Sequence, residues 1–422
     1  MAGQAETASL TGGPCRFCGT ELTETFIDLG KSPLCETFLT QEQLLEGENF
    51  YPLHAWVCHE CFLVQLQEFV SPDEIFREYA YFSSYSNAWL EHCSNYVDQM
   101  TDQLGLGADS MVVELASNDG YLLQYFLQKD IPVLGVEPAL NVAKVAEEER
   151  GVPTRTEFFG KEFASKLAEE GIQADLVLGN NVMAQVPDLN DFVGGMPIIL
   201  APHGTVTIEF PHLLRTMDEN QFDQVYHEHF SYFSLVTTER IFAAHGMRIY
   251  DVEELWTHGG SIRIFACHAD HSLEETERLR ELRQRELDLG TETLDYYRDF
   301  AARIVNLRHD VLTFLIQAKR AGKRVVGYGA PGKGNTLLNY IGIREDLIEF
   351  TVDRNPYKHG RFTPGTHIPI HDPEILETEK ADYVFILPWN LTDEITKQLA
   401  HLGEQGTRFV RPVPGLTILG EE

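Results

Sequence analysis

A chain of 422 residues is too long for one ordinary core, and 43% hydrophobic residues supply material for two or three. A formal net charge of -32 argues against nucleic acid or an anionic membrane as partner, because both demand a basic footprint. No run approaches the roughly 18 apolar residues of a membrane span, and residues 1–13 have neither the basic start nor the apolar stretch of an export signal, so a cytoplasmic protein is expected.

Seven cysteines occur, four of them as Cys15-Arg-Phe-Cys18 and Cys58-His-Glu-Cys61, two C-x-x-C pairs that enclose 39 residues. Without an export signal, this pattern favours metal over disulfides. Four thiolates suit tetrahedral zinc, and a closed four-cysteine site leaves no position for water or substrate, so the zinc is structural. The expected module is zinc-ribbon-like and spans residues 1–70. Cys35 is a further candidate ligand, but a buried, small apolar residue accounts for it better.

Residues 71–110 read as helical and rich in aromatics, with Tyr79 and Tyr81 in a Tyr/Ser run that suits a pocket lining or a structural hydroxyl network equally. Short buried strands follow at 111–116, 131–137, 174–180 and 204–210, with helical stretches between them. This alternation predicts an α/β fold with a mostly parallel, doubly wound sheet, here assigned to residues 71–270. Residues 272–321 are helical and charged. New strands at 324–329, 348–353 and 381–388 then define a second, Rossmann-like α/β unit, and connector and unit together make a third block, 271–422.

Three motifs carry chemistry. The first is Glu114-Leu-Ala116-Ser117-Asn118-Asp119-Gly120, a turn between strand and helix, followed by Glu137-Pro138 at the end of the next strand. Such a turn lets a ligand approach backbone amides at a helix N-terminus, and the second acid is placed to take both hydroxyls of a ribose. The motif lacks G-x-G-x-x-G, which argues against a dinucleotide, and its E-x-x-x-x-D-G form suits S-adenosylmethionine (SAM). Asn180 and Asn181, after a later strand, are expected to line the same pocket. The second motif, Tyr226-His227-Glu228-His229-Phe230, gathers titratable groups suited to removing a proton from carbon; its spacing does not suit a helical metal site. His258 and Arg263, in a polar turn, could shape the same pocket. The third is Gly327-Tyr328-Gly329-Ala330-Pro-Gly332-Lys333-Gly334-Asn335-Thr336. It matches G-x-G-x-x-G, with Asp353 closing the next strand, and it nearly matches a Walker loop, but Gly334 stands where Ser or Thr would bind magnesium. Loop amides, Lys333 and a local basic group of Arg354, Lys358, His359 and Arg361 suit a diphosphate or nucleotide.

The two cysteine pairs, the Glu114 turn, the Tyr226-His-Glu-His-Phe cluster and the Gly327 loop, in this order, closely resemble the NDP-hexose C-methyltransferases of deoxysugar and antibiotic pathways, across essentially the whole chain. The resemblance implies a zinc domain, a central SAM domain and a C-terminal domain that helps hold a nucleotide sugar. It implies proton removal at C3 of a dTDP-linked 4-keto sugar, and methyl transfer to that carbon. His229 would be the base, with Glu228 and Tyr226 orienting it and stabilising the enolate oxygen, and Tyr79 and Tyr81 fall where the family places a further tyrosine. His227, His258 and Arg263, with Tyr328, Gly329, Ala330, Lys333, Asn335, Arg354 and Lys358, would contact the substrate. One departure stands out: Gln185 occupies a position where the family often has histidine, so no proton passes there. A nicotinamide-dependent sugar-nucleotide oxidoreductase using the Gly327 loop, an O- or N-methyltransferase, and a zinc module fused to a ligand sensor are the alternatives. A monomer is expected.

Overall fold

A computed structural model of the chain describes residues 11–71, Ser84 and 87–420. Their packing divides into two compact units that do not follow chain order. The first gathers Met1–Leu22, Cys58–His212 and Phe230–Glu292; the second gathers Thr23–Val57, Leu213–His229 and Thr293–Glu422. The two cysteine pairs therefore fall together in the first unit, while the residues they enclose belong mainly to the second.

The first unit is built on a seven-stranded sheet in the order Met247–Leu255, Ser261–His268, Leu200–Pro211, Ala174–Asn180, Val112–Leu115, Val133–Val136, Thr154–Arg155. Strands 112–115, 133–136, 154–155, 174–180 and 200–211 pair in parallel, and Ser261–His268 runs antiparallel to both of its neighbours. The central strands read Val-Val-Glu-Leu and Val-Leu-Gly-Val and are buried along their length, as parallel strands covered on both faces must be. Helix Asn87–Leu104 places Cys93, Tyr96, Val97 and Met100 at helical spacing on one stripe, and these pack with Val112, Leu176, Leu178 and Phe265. Beside the cysteine pairs, Val64–Leu66 pairs antiparallel with Ser231–Tyr232.

Helix Leu235–Ala244 begins under a buried carboxylate. Glu286 accepts the backbone N–H groups of Leu235 at 2.8 Å and Val236 at 2.9 Å, and its Oε1 lies 2.6 Å from Nε2 of His212. The carboxylate thus meets amides that the first helical turn leaves unpaired.

The second unit holds a hairpin of Glu24–Ser32 and Tyr51–Val57 and a six-stranded sheet in the order Ile370–His371, Thr351–Val352, Val325–Tyr328, Tyr383–Ile386, Arg408–Arg411, Thr417–Ile418, parallel except for the last strand. Phe26 of the hairpin stacks on Phe300 of helix Leu294–Arg320 with ring centroids 4.9 Å apart. Among the described residues, no helix is long and apolar enough to cross a membrane.

Replacing Glu286 with Ala leaves two amides and an imidazole without their acceptor. The expected loss is about 3–5 kcal/mol, with Glu286→Gln intermediate, read by denaturant unfolding. A loss under about 1 kcal/mol would show that the carboxylate does not anchor this helix.

Candidate functional site

The four thiols of Cys15, Cys18, Cys58 and Cys61 lie within 4.8 Å of one another, with Cys15–Cys61 at 3.6 Å and Cys18–Cys58 at 3.5 Å. A tetrahedron with zinc–sulfur bonds of about 2.3 Å has edges near 3.8 Å. The donor set and spacing therefore fit a closed tetrathiolate zinc centre. Cys15 also accepts a hydrogen bond from Nε2 of Gln65 at 3.1 Å.

At the ends of the central strands of the first unit, the expected cofactor residues converge. Ala116, Asn118 and Gly120 all take positive φ, as does Asn181 after the strand Ala174–Asn180. Gly120 needs to be glycine on two counts: its φ is 73°, and an added Cβ would sit 3.0 Å from Val152. Glu137 fixes the turn, accepting from the backbone of Asn118 at 2.9 Å and of Ala139, past Pro138, at 2.8 Å. Burial pushes its carboxyl up to about 7, against those two amides. Glu114 is fully buried, and its pKa is raised well above the carboxylate range by that burial. The Tyr121 hydroxyl lies beside Glu114 and Asn180. Among the described residues, the Glu114 carboxylate, Ser117 Oγ, Asp119 Oδ1 and Asn181 Oδ1 find no partner of good hydrogen-bond geometry. Buried polar atoms are rarely left so. A polar ligand with a ribose and an amine fits this donor–acceptor set, and these are the residues that could hold SAM. The other oxygen of Asp119 is engaged by Ser84 Oγ at 2.5 Å and by Arg150 at 3.3 Å.

Arg263 and His258 belong to the same unit. Arg263 donates to Glu209 at 2.6 Å and to Glu253 at 3.1 Å, while His92 lies 3.0 Å from Glu209 and Thr257 donates to it at 2.8 Å. Burial alone would raise the Glu209 carboxyl, but Arg263 and His92 hold it down at about 2. His258 adopts a φ of 55° and meets Trp89 edge-on.

In the second unit, the His cluster forms a buried turn. His229 Nδ1 faces the carbonyl of Gln224 at 3.3 Å, and Nε2 lies 2.8 Å from the Tyr226 hydroxyl. A carbonyl can only accept, so the proton belongs on Nδ1 and the Nε2 lone pair accepts from Tyr226. The Tyr226 hydroxyl is thus a partner of His229 Nε2. Glu228 has a different partner: its Oε1 accepts from the Cys35 thiol at 3.7 Å. Burial, reinforced by nearby Glu36, pushes the Glu228 carboxyl up to about 8, so it keeps its proton at neutral pH. His227 turns to the hairpin, donating to the carbonyl of Pro52 at 3.1 Å. Tyr79 and Tyr81 lie outside the described residues.

The Gly327 loop is answered largely from within the unit. The amide of Ala330 donates to Asp353 at 2.7 Å, and the Gly332 amide faces the Glu36 carboxylate. Gly329 has φ 84° and leaves only 2.5 Å between an added Cβ and Pro388, so the turn admits no side chain there. Tyr328 donates to Gln398 at 3.2 Å, and Asn335 donates to the carbonyl of Cys35 at 2.6 Å. Lys333 donates to Asn390 and sits 4.1 Å from the centroid of the Trp389 ring, with burial lowering it to about 8. Lys358 donates to the carbonyl of Ala330 at 2.8 Å and lies 3.6 Å from Glu36, and Arg354 pairs with Glu394 at 3.2 Å. The basic group expected at the diphosphate is thus partly neutralised by protein carboxylates.

Sequence reasoning missed Glu209 with His92, the Cys35–Glu36 pair, and buried Asp223, which accepts from Trp389 Nε1 at 2.6 Å. Glu209 offered a signal: like Glu137 it is an acid near the end of an apolar strand. Cys35 and Glu36 offered none.

Three family models cover the chain: a zinc binding domain at residues 15–76, a methyltransferase domain at 89–252 and a C-methyltransferase C-terminal domain at 256–414. With the seven-stranded sheet and the tetrathiolate cluster, they define a SAM-dependent methyltransferase with a zinc-binding domain. The C-methyltransferase NovU of Streptomyces niveus is 36% identical over 408 residues, covering 97% of each chain. The chain belongs to this family of C-methyltransferases. Solved structures overlap over less of it. A SAM-dependent methyltransferase from Clostridium acetobutylicum ATCC 824 has 11% identity over 42% of this chain and 92% of its own, with a TM-score of 0.35. Magnesium protoporphyrin IX methyltransferase from Synechocystis PCC 6803 has 13% identity over 42% and 82%, with a TM-score of 0.34.

Two outcomes follow from this geometry. Cys58→Ser is expected to reduce bound zinc well below one ion per chain in metal analysis and to lower the melting temperature, because folding of such a module draws on metal binding. Unchanged zinc content would remove Cys58 from the ligand set. For Glu228, the folded chain retains a proton that the unfolded chain has released between the ordinary carboxylate range and about pH 8. Stability therefore falls as pH rises through that window. Glu228→Gln removes this slope, so its melting temperature relative to the parent should climb from pH 5 to pH 9; a flat difference would show that Glu228 ionises normally.

Proposed function

We propose that the protein methylates C3 of a 4-keto deoxysugar nucleotide, dTDP-linked, within a deoxysugar pathway. The observation that carries this reading is the hydrogen-bonded Tyr226–His229 pair, with His229 buried, next in the chain to Glu228, an acid held neutral by its surroundings. The ketone acidifies the neighbouring C–H. As that bond breaks, its electrons move onto the ketone oxygen and the proton passes to the Tyr226–His229 pair, either directly to Nε2 or through the phenol, whose own proton is already directed at Nε2. His229 ends as imidazolium, with Nδ1–H directed at the Gln224 carbonyl.

A charged carboxylate would repel an enolate, whereas neutral Glu228 can donate to it; burial of that acid is what suits it to the task. When bound, SAM would supply the electrophilic sulfonium methyl group for the new carbon–carbon bond. Glu114, Ser117, Asn118, Asp119, Gly120 and Glu137, with Asn180 and Asn181, are assigned to hold SAM. The nucleotide is assigned to the side chains around the loop from Tyr328 to Asn335, Lys333 foremost, because the Gly332 amide already faces Glu36. Gln185 takes no part in proton transfer, since an amide does not titrate in this range.

The test is deuterium exchange at C3 of a dTDP-4-keto-deoxysugar in heavy water, followed by NMR with and without SAM. Native protein should catalyse exchange and His229→Asn should not, with a loss of at least about 100-fold. Tyr226→Phe separates the two proton routes, because exchange persists only if Nε2 acts directly. Absence of exchange with native protein across a panel of 4-keto sugar nucleotides would overturn the reading.

A further inference from the structure

We infer that Arg16, inside the first zinc knuckle, is a positioning residue that ties the metal centre to the active-site loop after strand Ala174–Asn180 and to Phe230, the residue following His229. The two knuckles differ in what their middle residues do. In Cys58-His59-Glu60-Cys61 both intervening side chains are turned to solvent. In Cys15-Arg16-Phe17-Cys18 the arginine is half-buried and engaged on several sides.

Arg16 Nη1 donates to the carbonyl of Pro187 at 2.7 Å, and Nη2 donates to the carbonyl of Leu66. One planar guanidinium thus bridges the loop and the strand beside the metal site, a geometry an ammonium cannot reproduce. Its carbon also lies 5.4 Å from the centroid of Phe230. The same strand and loop hold the Phe230 backbone from both sides: Leu66 N–H donates to Phe230 O at 3.0 Å, and Phe230 N–H donates to Ala184 O at 2.7 Å. From the first turn of helix Leu189–Ile199, which follows this loop, Asn190 Nδ2 reaches back to the carbonyls of Phe17 at 2.9 Å and Arg16 at 3.1 Å, while its Oδ1 lies 2.9 Å from His245 Nε2. Buried Gln65 completes the connection to the metal, accepting from Arg16 N at 2.9 Å and donating to the Cys15 sulfur at 3.1 Å.

A module needed only for folding would not require its knuckle to grip this loop. By fixing Phe230, the knuckle fixes one end of the peptide that carries His229. By fixing Pro187 and Asn190, it fixes the loop that follows Asn180 and Asn181 and contains Gln185. The functional half of this inference rests on the assignment of His229 as the base; the structural half does not.

The experiment compares zinc-loaded native protein with Arg16→Ala and Arg16→Lys, using amide hydrogen exchange read by mass spectrometry, metal analysis and steady-state kinetics. With zinc retained at one ion per chain, Arg16→Ala should speed exchange roughly tenfold or more in peptides covering 182–190 and 228–232, and not in the central sheet. The kcat should fall about 10- to 100-fold with a smaller change in KM, and Arg16→Lys should recover only part of either effect. Asn190→Ala, which cuts the contact from the loop side, should reproduce the exchange pattern and serves if Arg16→Ala fails to fold. Unchanged exchange in these two segments, or an effect seen only together with zinc loss, would overturn the inference. Localised exchange without any change in kcat would confine Arg16 to a structural role and overturn the positioning claim. Exchange is read without any sugar substrate, so failure of the C3 assignment would not be mistaken for failure of this one.

Discussion

Four cysteine sulfurs crowded within 4.8 Å can all be ionised only around a cation. That constraint draws together two knuckles that lie far apart in sequence, and much of the first unit is arranged around it. Gln65 satisfies one sulfur and the Arg16 backbone together, Val64–Leu66 pairs with Ser231–Tyr232, and the carbonyl of Cys61 accepts from Thr237 in helix Leu235–Ala244. The metal site is thus stitched into its surroundings in the first unit by one short strand pairing and by side-chain hydrogen bonds. The residues between the knuckles take a separate course, forming a hairpin that packs on helix Leu294–Arg320 through Phe26 and Phe300.

The Arg263–Glu209 network and the His cluster solve the same electrostatic problem in opposite ways. A buried carboxyl either gains compensating charge and donors or keeps its proton. Glu209 takes the first course, held ionised by Arg263 and His92. Glu228 takes the second: its hydrogen-bond partner is a thiol, Glu36 adds repulsion, and the pull of Lys358 is too weak to reverse them. An acidic chain with a net charge of -32 can therefore present a neutral hydrogen-bond donor, because local burial keeps the proton on the carboxyl and negative neighbours act in the same direction.

The parts legible in sequence were those set by short-range rules. The cysteine spacing, the apolar strands at Val112, Val133 and Ala174, and the Glu114–Gly120 turn each depend on residues a few positions apart, and the comparisons agree with the α/β methyltransferase fold they pointed to. Less legible were pairings across hundreds of residues. Nothing in the sequence near Cys35 indicates that its thiol meets Glu228, or that its carbonyl receives Asn335. The division of the chain into interleaved units was equally hidden, since local patterns reveal strands and helices but not which distant segments share a core.

The Gly327 loop shows why a glycine pattern must be read with its surroundings. G-x-G-x-x-G followed by Asp353 has the form of a nicotinamide site, in which the acid is free to grip a ribose and the loop amides face a pyrophosphate. Here the Asp353 carboxylate is already bonded to the amide of Ala330 and, through its other oxygen, to that of Asn355 at 2.8 Å. The first amide of helix Gly332–Ile341 faces the Glu36 carboxyl, at the helix N-terminus where a phosphate sits in a dinucleotide fold. A protein side chain at that position takes the helix-terminal donor that a phosphate would use. The glycines remain necessary for backbone reasons, since Gly329 has no room for a side chain beside Pro388. The pattern in this chain thus follows from the packing of the loop, and the oxidoreductase alternative loses the feature on which it stood.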